Sequence, residues 1–369
     1  MKRLLVLSVG LAALTVGVLV AWYAVRQERE FQRLIAAGDA ALARDQTYGA
    51  IEAFSGALAL KGESMLAYLK RGDTYRRRGE LESALRDLRQ AAALDAAAPR
   101  PIELLGDVNA AMERYERAAE HYRAFTQLDD RSPRVFYKLA LASYRSGRAE
   151  QAIEPLRQAV ALDERFTEAH YLLGMCLRDR ADEAGALDAL TRAVAINPAF
   201  AAAREELADL YERADQRREA IEQLEALAAL EPARADRLVG VGLAYARWGR
   251  TDAAILTLGR AAERFPDEPA VYTALGRVWL QDAELRNDRV ALGKALEALQ
   301  PTATAAAATP AALMLYGRAL FLAGSHAAAE RLLLQATARG PAEPAAFRYL
   351  ADAAERLGHL AEAHDALRR

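Results

Sequence analysis

The sequence predicts an all-α fold: a solenoid of about ten antiparallel helix pairs, preceded by one N-terminal transmembrane helix. Two observations predict the solenoid. A small residue recurs every 34 residues, at Gly38, Gly72, Gly106, Ala140, Gly174, Ala208, Gly242 and Gly276. Twelve residues after the first seven of these stands an Ala (Ala50, Ala84, Ala118, Ala152, Ala186, Ala220, Ala254), and four further on a bulky residue (Phe54, Leu88, Tyr122, Leu156, Leu190, Leu224, Leu258). A fixed period of this size marks repeated two-helix units that bury their apolar faces only by stacking on neighbours. A third observation predicts the anchor: Leu4 to Val25 carries no charge.

Each element follows from local chemistry. Lys2 and Arg3 form a short basic N-terminus at 1–3. Residues 4–25 would span about 33 Å as a helix, enough for a bilayer core of about 30 Å. Trp22 and Tyr23 stand where an interfacial belt forms, and Arg26 follows. A cleaved signal peptide is the rival reading, but bulky residues occupy the position where its cleavage site would need small ones. Residues 26–30 read as a juxtamembrane linker, and 31–369 as the array.

Units start near residues 31, 65, 99, 133, 167, 201, 235, 269, 310 and 344. In the unit beginning at Thr167, helix A is expected over roughly Glu168–Asp179 and helix B over roughly Ala184–Ala195. Pro198, Pro232 and Pro266 stop helix B at a constant offset, since proline lacks the N–H and clashes with the preceding turn. Gly79, Gly147, Gly249, Gly324 and Gly358 fall between helices A and B, where a left-handed residue is needed. The unit at 269–309 is longer by seven residues. Three are expected to enlarge its inter-helix turn around Arg286–Arg289 and four to extend the stretch from Pro301 to Pro310. Arg369 falls inside helix B of the tenth unit.

This pattern resembles the tetratricopeptide repeat (TPR) family, over the whole of 31–369. The resemblance implies a right-handed superhelix with helix A lining a concave groove, and a non-enzymatic scaffold that binds a protein or peptide partner there. It is also similar to membrane-anchored bacterial TPR adaptors. One such group adds a metal module with paired CxxC motifs, which this chain, with Cys176 alone, lacks.

Helix positions 2, 5, 6, 9, 12 and 13 should face the groove. In the second to fifth units they supply Lys70, Arg76, Arg77, Arg100, Arg134, Tyr137, Lys138, Tyr144, Arg145, Tyr171 and Arg178; Asp73 and Asp107, with Asp39 of the first unit, face the same way. They read either as a groove for an acidic or aromatic peptide or as an ordinary solvated charged face. The carboxylate clamp of chaperone-binding relatives is matched by Arg134 and Lys138, while Leu69, Asp73 and Leu104 depart from it. Met314, Leu315, Phe321 and Leu322 form a second, apolar stretch, readable as a helix-binding groove or as the chain's own end packing.

A formal charge of −2 with 27% charged residues argues against nucleic acid as a partner. One cysteine excludes an intramolecular disulfide and Cys-based metal sites. The five histidines form no HExxH pair, and Gly240-Val-Gly242 lies in a helix with no preceding strand. No catalytic residues, metal or cofactor are expected. The function expected is a membrane-tethered scaffold. A structural subunit of a larger membrane complex and a substrate-recruiting accessory of a separate enzyme are the alternatives. The short basic start followed by an apolar run favours export, placing the array on the periplasmic side of a single-pass inner membrane; Arg26, Arg29 and Arg33 argue the other way.

Overall fold

The computed structural model describes the backbone of residues 2–339 and 344–368, and the side chains of 14–339 and 344–368. Among them are twenty helices and no strand. Two compact bodies divide the chain, residues 1–196 and 197–369.

In the first body, α1 (Lys2–Ala43) pairs with α2 (Thr47–Leu60), α3 (Met65–Arg77) with α4 (Leu81–Leu94), and α5 (Pro99–Ala111) with α6 (Tyr115–Leu128). Then α7 (Pro133–Arg145) pairs with α8 (Ala149–Leu162), and α9 (Thr167–Asp179) with α10 (Glu183–Ile196). In the second body the pairs are α11 (Ala201–Arg213) with α12 (Arg217–Leu230), and α13 (Ala235–Arg247) with α14 (Thr251–Arg264). They continue with α15 (Pro269–Arg286) and α16 (Arg289–Thr304), α17 (Pro310–Leu322) and α18 (His326–Arg339), and α19 (Pro344–Leu357) and α20 (Leu360–Arg368).

Helix A starts are written in the sequence. Pro99, Pro133, Pro269 and Pro310 each open a helix, where the missing N–H is no loss. Ser64, Ser132 and Thr309 cap α3, α7 and α17 by accepting from the backbone N–H three residues on. The glycines hold the pairs together. A Cβ on Gly72 would lie 2.9 Å from Leu88 Cγ, one on Gly174 2.6 Å from Leu190 Cγ, and one on Gly242 2.5 Å from Leu258 Cγ. The bulky residue of helix B thus occupies the space a side chain on helix A would need.

A left-handed residue closes every turn between helices A and B. Gly79, Gly147, Gly249, Gly324 and Gly358 do so with φ of 78–82°. Asp45, Glu113, Ala181, Asp215 and Asn287 hold the equivalent place with φ of 50–61°. A side chain there costs energy that glycine avoids, so the hairpin imposes this conformation on whatever residue the turn carries.

One expectation is corrected and two are made more specific. The linker at 26–30 is helical: α1 runs unbroken from Lys2 into the first unit, because no proline or glycine interrupts it there. Gln27 Nε2 donates to Leu60 O at 2.6 Å and Lys61 pairs with Glu28 while lying over the Phe31 ring, so this stretch packs on the end of α2.

The extra residues of the eighth unit are not in a wider turn or in the Pro301–Pro310 stretch. Gly276 meets Leu299, twenty-three residues on, where the other units show sixteen, as in Gly72 and Leu88. All seven extra residues therefore lie between these two. They lengthen the helices: α15 has 18 residues against 13 in α3, and α16 has 16 against 14 in α4. A continuous helix satisfies its own backbone, whereas a seven-residue loop would leave those groups to solvent.

Of the two readings of the apolar stretch of α17, the chain's own end packing describes most of it. Met314 and Leu315 are 7% and 3% exposed and belong to a core shared with α15, α16, α18 and α19. Phe321 is half-buried against His326 and Tyr349 at ring separations of 5.2 and 5.7 Å. Only Leu322 stands out, 39% exposed. The chain's own last units fill the space that a helix-binding groove would need.

The anchor expected over residues 4–25 lies partly outside the residues whose side chains are described. Among the described residues, no helix is long and apolar enough to cross a membrane.

Candidate functional site

The helix-A faces of the first body carry an internally paired ladder of charge. Lys70 on α3 reaches back to Asp39 on α1, at 2.7 and 2.9 Å from its two carboxylate oxygens. Lys138 on α7 does the same two units later, 2.7 Å from Glu103 and 2.8 Å from Asp107 on α5. Both Lys–Asp pairs are 31 residues apart, so each lysine sits one unit on and three positions back from its aspartate. Arg100 closes on Glu103 from the other side at 2.5 Å, and the Tyr122 hydroxyl donates to Asp107 at 2.8 Å. Burial opposes charge on Glu103, but Lys138 and Arg100 outweigh it and hold this carboxyl below its usual range. Burial and Asp107 push the Tyr122 hydroxyl far up, so it acts as a fixed donor.

Most of the cations expected in the groove are engaged. Arg76 and Arg77 both bind Asp73. Arg178 lies against its chain neighbour Asp179 at 2.9 Å, and Arg145 over the Tyr115 ring at 5.7 Å. Tyr137 packs its ring on Phe166 at 5.0 Å, and burial raises its hydroxyl pKa. Tyr144 is half-buried near Asp179, and burial with that carboxylate raises its pKa. Tyr171 is half-buried on α9. Arg134 differs: it is exposed on the first turn of α7, with no hydrogen-bond or ion-pair partner among the described residues. The charged face is thus balanced rather than basic, and among the described residues Arg134 is the expected groove cation left without a partner.

A partly buried pair that sequence reading missed joins the first two units. Arg71 on α3 forks onto Asp87 on α4 at 2.6 and 2.9 Å and donates to Ser55 on α2 at 3.1 Å. Asp87 is 7% exposed. The signal that could have revealed it is a carboxylate at an apolar helix-B position beside a conspicuous arginine.

In the second body the extended α15 does comparable work. Glu284, in the part of α15 beyond the usual length, accepts from Arg318 Nε on α17 at 2.7 Å and from the Tyr349 hydroxyl on α19 at 3.1 Å. Arg318 also lies over the Tyr349 ring at 5.1 Å. The longer hairpin therefore grips the two units that follow it. Beside it is a cleft of about 500 Å³ lined by α13, the first half of α15 and the connection from α16 to α17.

Among the described residues, no three His, Cys, Asp or Glu side chains are grouped so as to hold a metal ion. Cys176 is buried, and burial with Asp179 pushes its thiol up to about 12, so it is a packing residue.

Antiparallel pairs in a 34-residue register, each locked by a small residue under a bulky one, define a helical-repeat scaffold. Tetratricopeptide repeat models match residues 66–97, 103–165, 137–202 and 205–269. The chain belongs to the tetratricopeptide repeat family, whose members in general are non-catalytic scaffolds for protein and peptide interaction. No curated protein matches it significantly. Among solved structures it is similar to the C-terminal part of a TPR repeat-containing protein from Cytophaga hutchinsonii. The two are 15% identical over 65% of this chain and 99% of that one, with a TM-score of 0.56. It is also similar to YrrB, described as a TPR protein with an unusual peptide-binding site. Identity there is 26% over 49% of this chain and 94% of that one, with a TM-score of 0.46. Pseudomonas aeruginosa pilF is 22% identical over 57% and 97% of the two chains, with a TM-score of 0.43.

Proposed function

We propose that this chain is a membrane-tethered scaffold that binds a protein or peptide partner on its helix-A faces. The observation that carries the reading is Arg134. It is an exposed guanidinium on a helix-A face where neighbouring cations are paired, and it has no partner among the described residues. Tyr137 and Tyr171, one unit apart at the same helix position, supply half-buried aromatic surface beside it. The tether rests on residues 4–25 as read from sequence. What supports it in the described part is exposure: Leu14, Val16, Val18, Leu19, Val20, Trp22, Tyr23 and Val25 are all 51–66% exposed on α1. Eight large apolar side chains left to water on one helix need a nonpolar surrounding. The basic start at Lys2 and Arg3 favours export, which places the array in the periplasm.

Two treatments test the reading. Carbonate washing of membranes should leave the full chain in the pellet, with an N-terminus before Val25; release into the wash would end the tether. Affinity purification from detergent extracts should return a discrete partner that exchanges and is lost when Arg134 becomes Glu. A stoichiometric, salt-resistant complex would instead favour the structural-subunit reading.

A further inference from the structure

The helix-A faces of the seventh and eighth units hold a second feature that nothing in the charged ladder explains. The cleft of about 500 Å³ has an apolar floor of Val239 and Leu243 from α13, Ala270 and Ala274 from α15, and Ala312 from α17. Small residues on the α15 side leave the space open. Its far wall, Thr302 to Thr309, is fixed and not a loose loop. Ala308 N donates to Ala305 O at 3.0 Å, Arg339 Nη1 donates to Ala308 O at 3.1 Å, and Thr309 caps α17. Two charged side chains line the cleft. Glu268 sits at the start of α15, accepting from Ala270 N at 3.5 Å. Arg277 is exposed, with no hydrogen-bond or ion-pair partner among the described residues.

The next unit shows what such an arginine lacks. Arg277 is the ninth residue of α15, and Arg318 is the ninth of α17. Arg318 is completed by the Glu284 carboxylate and the Tyr349 ring, both from this chain. Arg277 has the same place on its helix and no carboxylate. A guanidinium at the rim of an apolar, preformed cleft of this size fits a ligand with one carboxylate beside an apolar group.

We propose that this cleft receives a short segment of a partner protein, in which an Asp or Glu side chain pairs with Arg277 and an aliphatic side chain nearby fills the space between Leu243 and Ala274. This rests on the scaffold reading and adds to the Arg134 face a second, separate contact in the second body.

The test uses the full chain in mild detergent, panned against a phage library of random heptapeptides. Enriched sequences should carry Asp or Glu within a few residues of Leu, Ile or Val. Labelled synthetic copies, capped at the C-terminus, should bind the parent. Their affinity should fall at least tenfold with Arg277→Glu and with Ala270→Trp, an exposed position whose larger side chain fills the cleft. Arg134→Glu should leave it unchanged. Peptides that bind Arg277→Glu as well as the parent would overturn the proposal, as would peptides that need a free C-terminal carboxylate. Binding lost on Arg134→Glu alone would move the site to the first body and leave the scaffold reading standing. No enrichment at all would count against both.

Discussion

Lys138 Nζ lies 2.7 Å from Glu103 and 2.8 Å from Asp107, so one lysine joins α7 to two carboxylates on α5. Its side chain is 24% exposed and those of its partners 11% and 18%. This is a joint between two repeat units, not a free contact for a ligand.

Replacing Lys138 with Met should cost about 1–3 kcal/mol, because buried Glu103 and half-buried Asp107 would each lose a charged donor. Glu103 should then titrate higher. Its carboxyl is held low in the native state, so the joint contributes stability above the unfolded carboxylate pKa of about 4.3 and loses it as pH falls through the native one. Denaturant melts of parent and Lys138→Met from pH 7 down to pH 3 should converge; a gap that stays constant would show that the pair is not coupled to pH.

Two glycines should respond oppositely. Gly174→Val puts methyl groups into Leu190, whose Cγ is already 2.6 Å from where a Cβ would stand. The expected cost is about 1–3 kcal/mol, with hydrogen exchange rising mainly in α9 and α10. Gly259 lies within α14 with nothing within 4 Å of an added Cβ. Gly259→Ala should stabilise by about 0.5–1 kcal/mol through helix propensity. Thermal melts of the two variants check the pair.

Ala181 occupies the left-handed turn position with φ of 61°. For a residue with a side chain this conformation costs roughly 1–2 kcal/mol, and glycine would return part of it as unfolded-state entropy. Ala181→Gly should therefore raise stability by about 0.5–1 kcal/mol, whereas the reverse change at Gly147 should lower it. Equal melting temperatures for all three proteins would contradict the geometry.

His359 Nδ1 lies 2.8 Å from Glu330, and this hydrogen bond raises the imidazole pKa. The sign follows: the contact is fully present below the unfolded value of about 6.5 and is lost as pH rises through the raised native value. An NMR titration should place His359 above that reference, and Glu330→Gln should bring it back.

Much of the architecture is legible in the residues because packing repeats with them. Gly72 over Leu88 and Gly174 over Leu190 are visible as fixed offsets, and Pro133 and Pro269 mark helix starts. Other features depend on what surrounds a residue. Glu113 and Ala181 do not look like left-handed residues; the hairpin closure forces them. Met314 and Leu315 read as a possible exposed patch because nothing local shows that neighbouring helices will cover them. The seven extra residues look like a loop when divided between Arg286 and Pro310, yet Leu299 marks helix growth. The ladder was half readable: Asp39 with Lys70 and Asp107 with Lys138 share a 31-residue spacing, which is seen only when adjacent repeats are superposed. Arg134 and Arg277 gain meaning from the absence of a partner among the described residues, which no single sequence displays.

The central claim is that helix-A faces meet the partner and helix-B faces do not. The direct measurement is site-specific photo-crosslinking of the full chain in cells, with the reactive side chain at position 134, 277 or 157. Arg157 stands exposed on α8, a helix B. The account expects a discrete crosslinked band from position 134, from 277 or from both, and none from 157. Equal bands from all three positions, or a band from 157 alone, would contradict it.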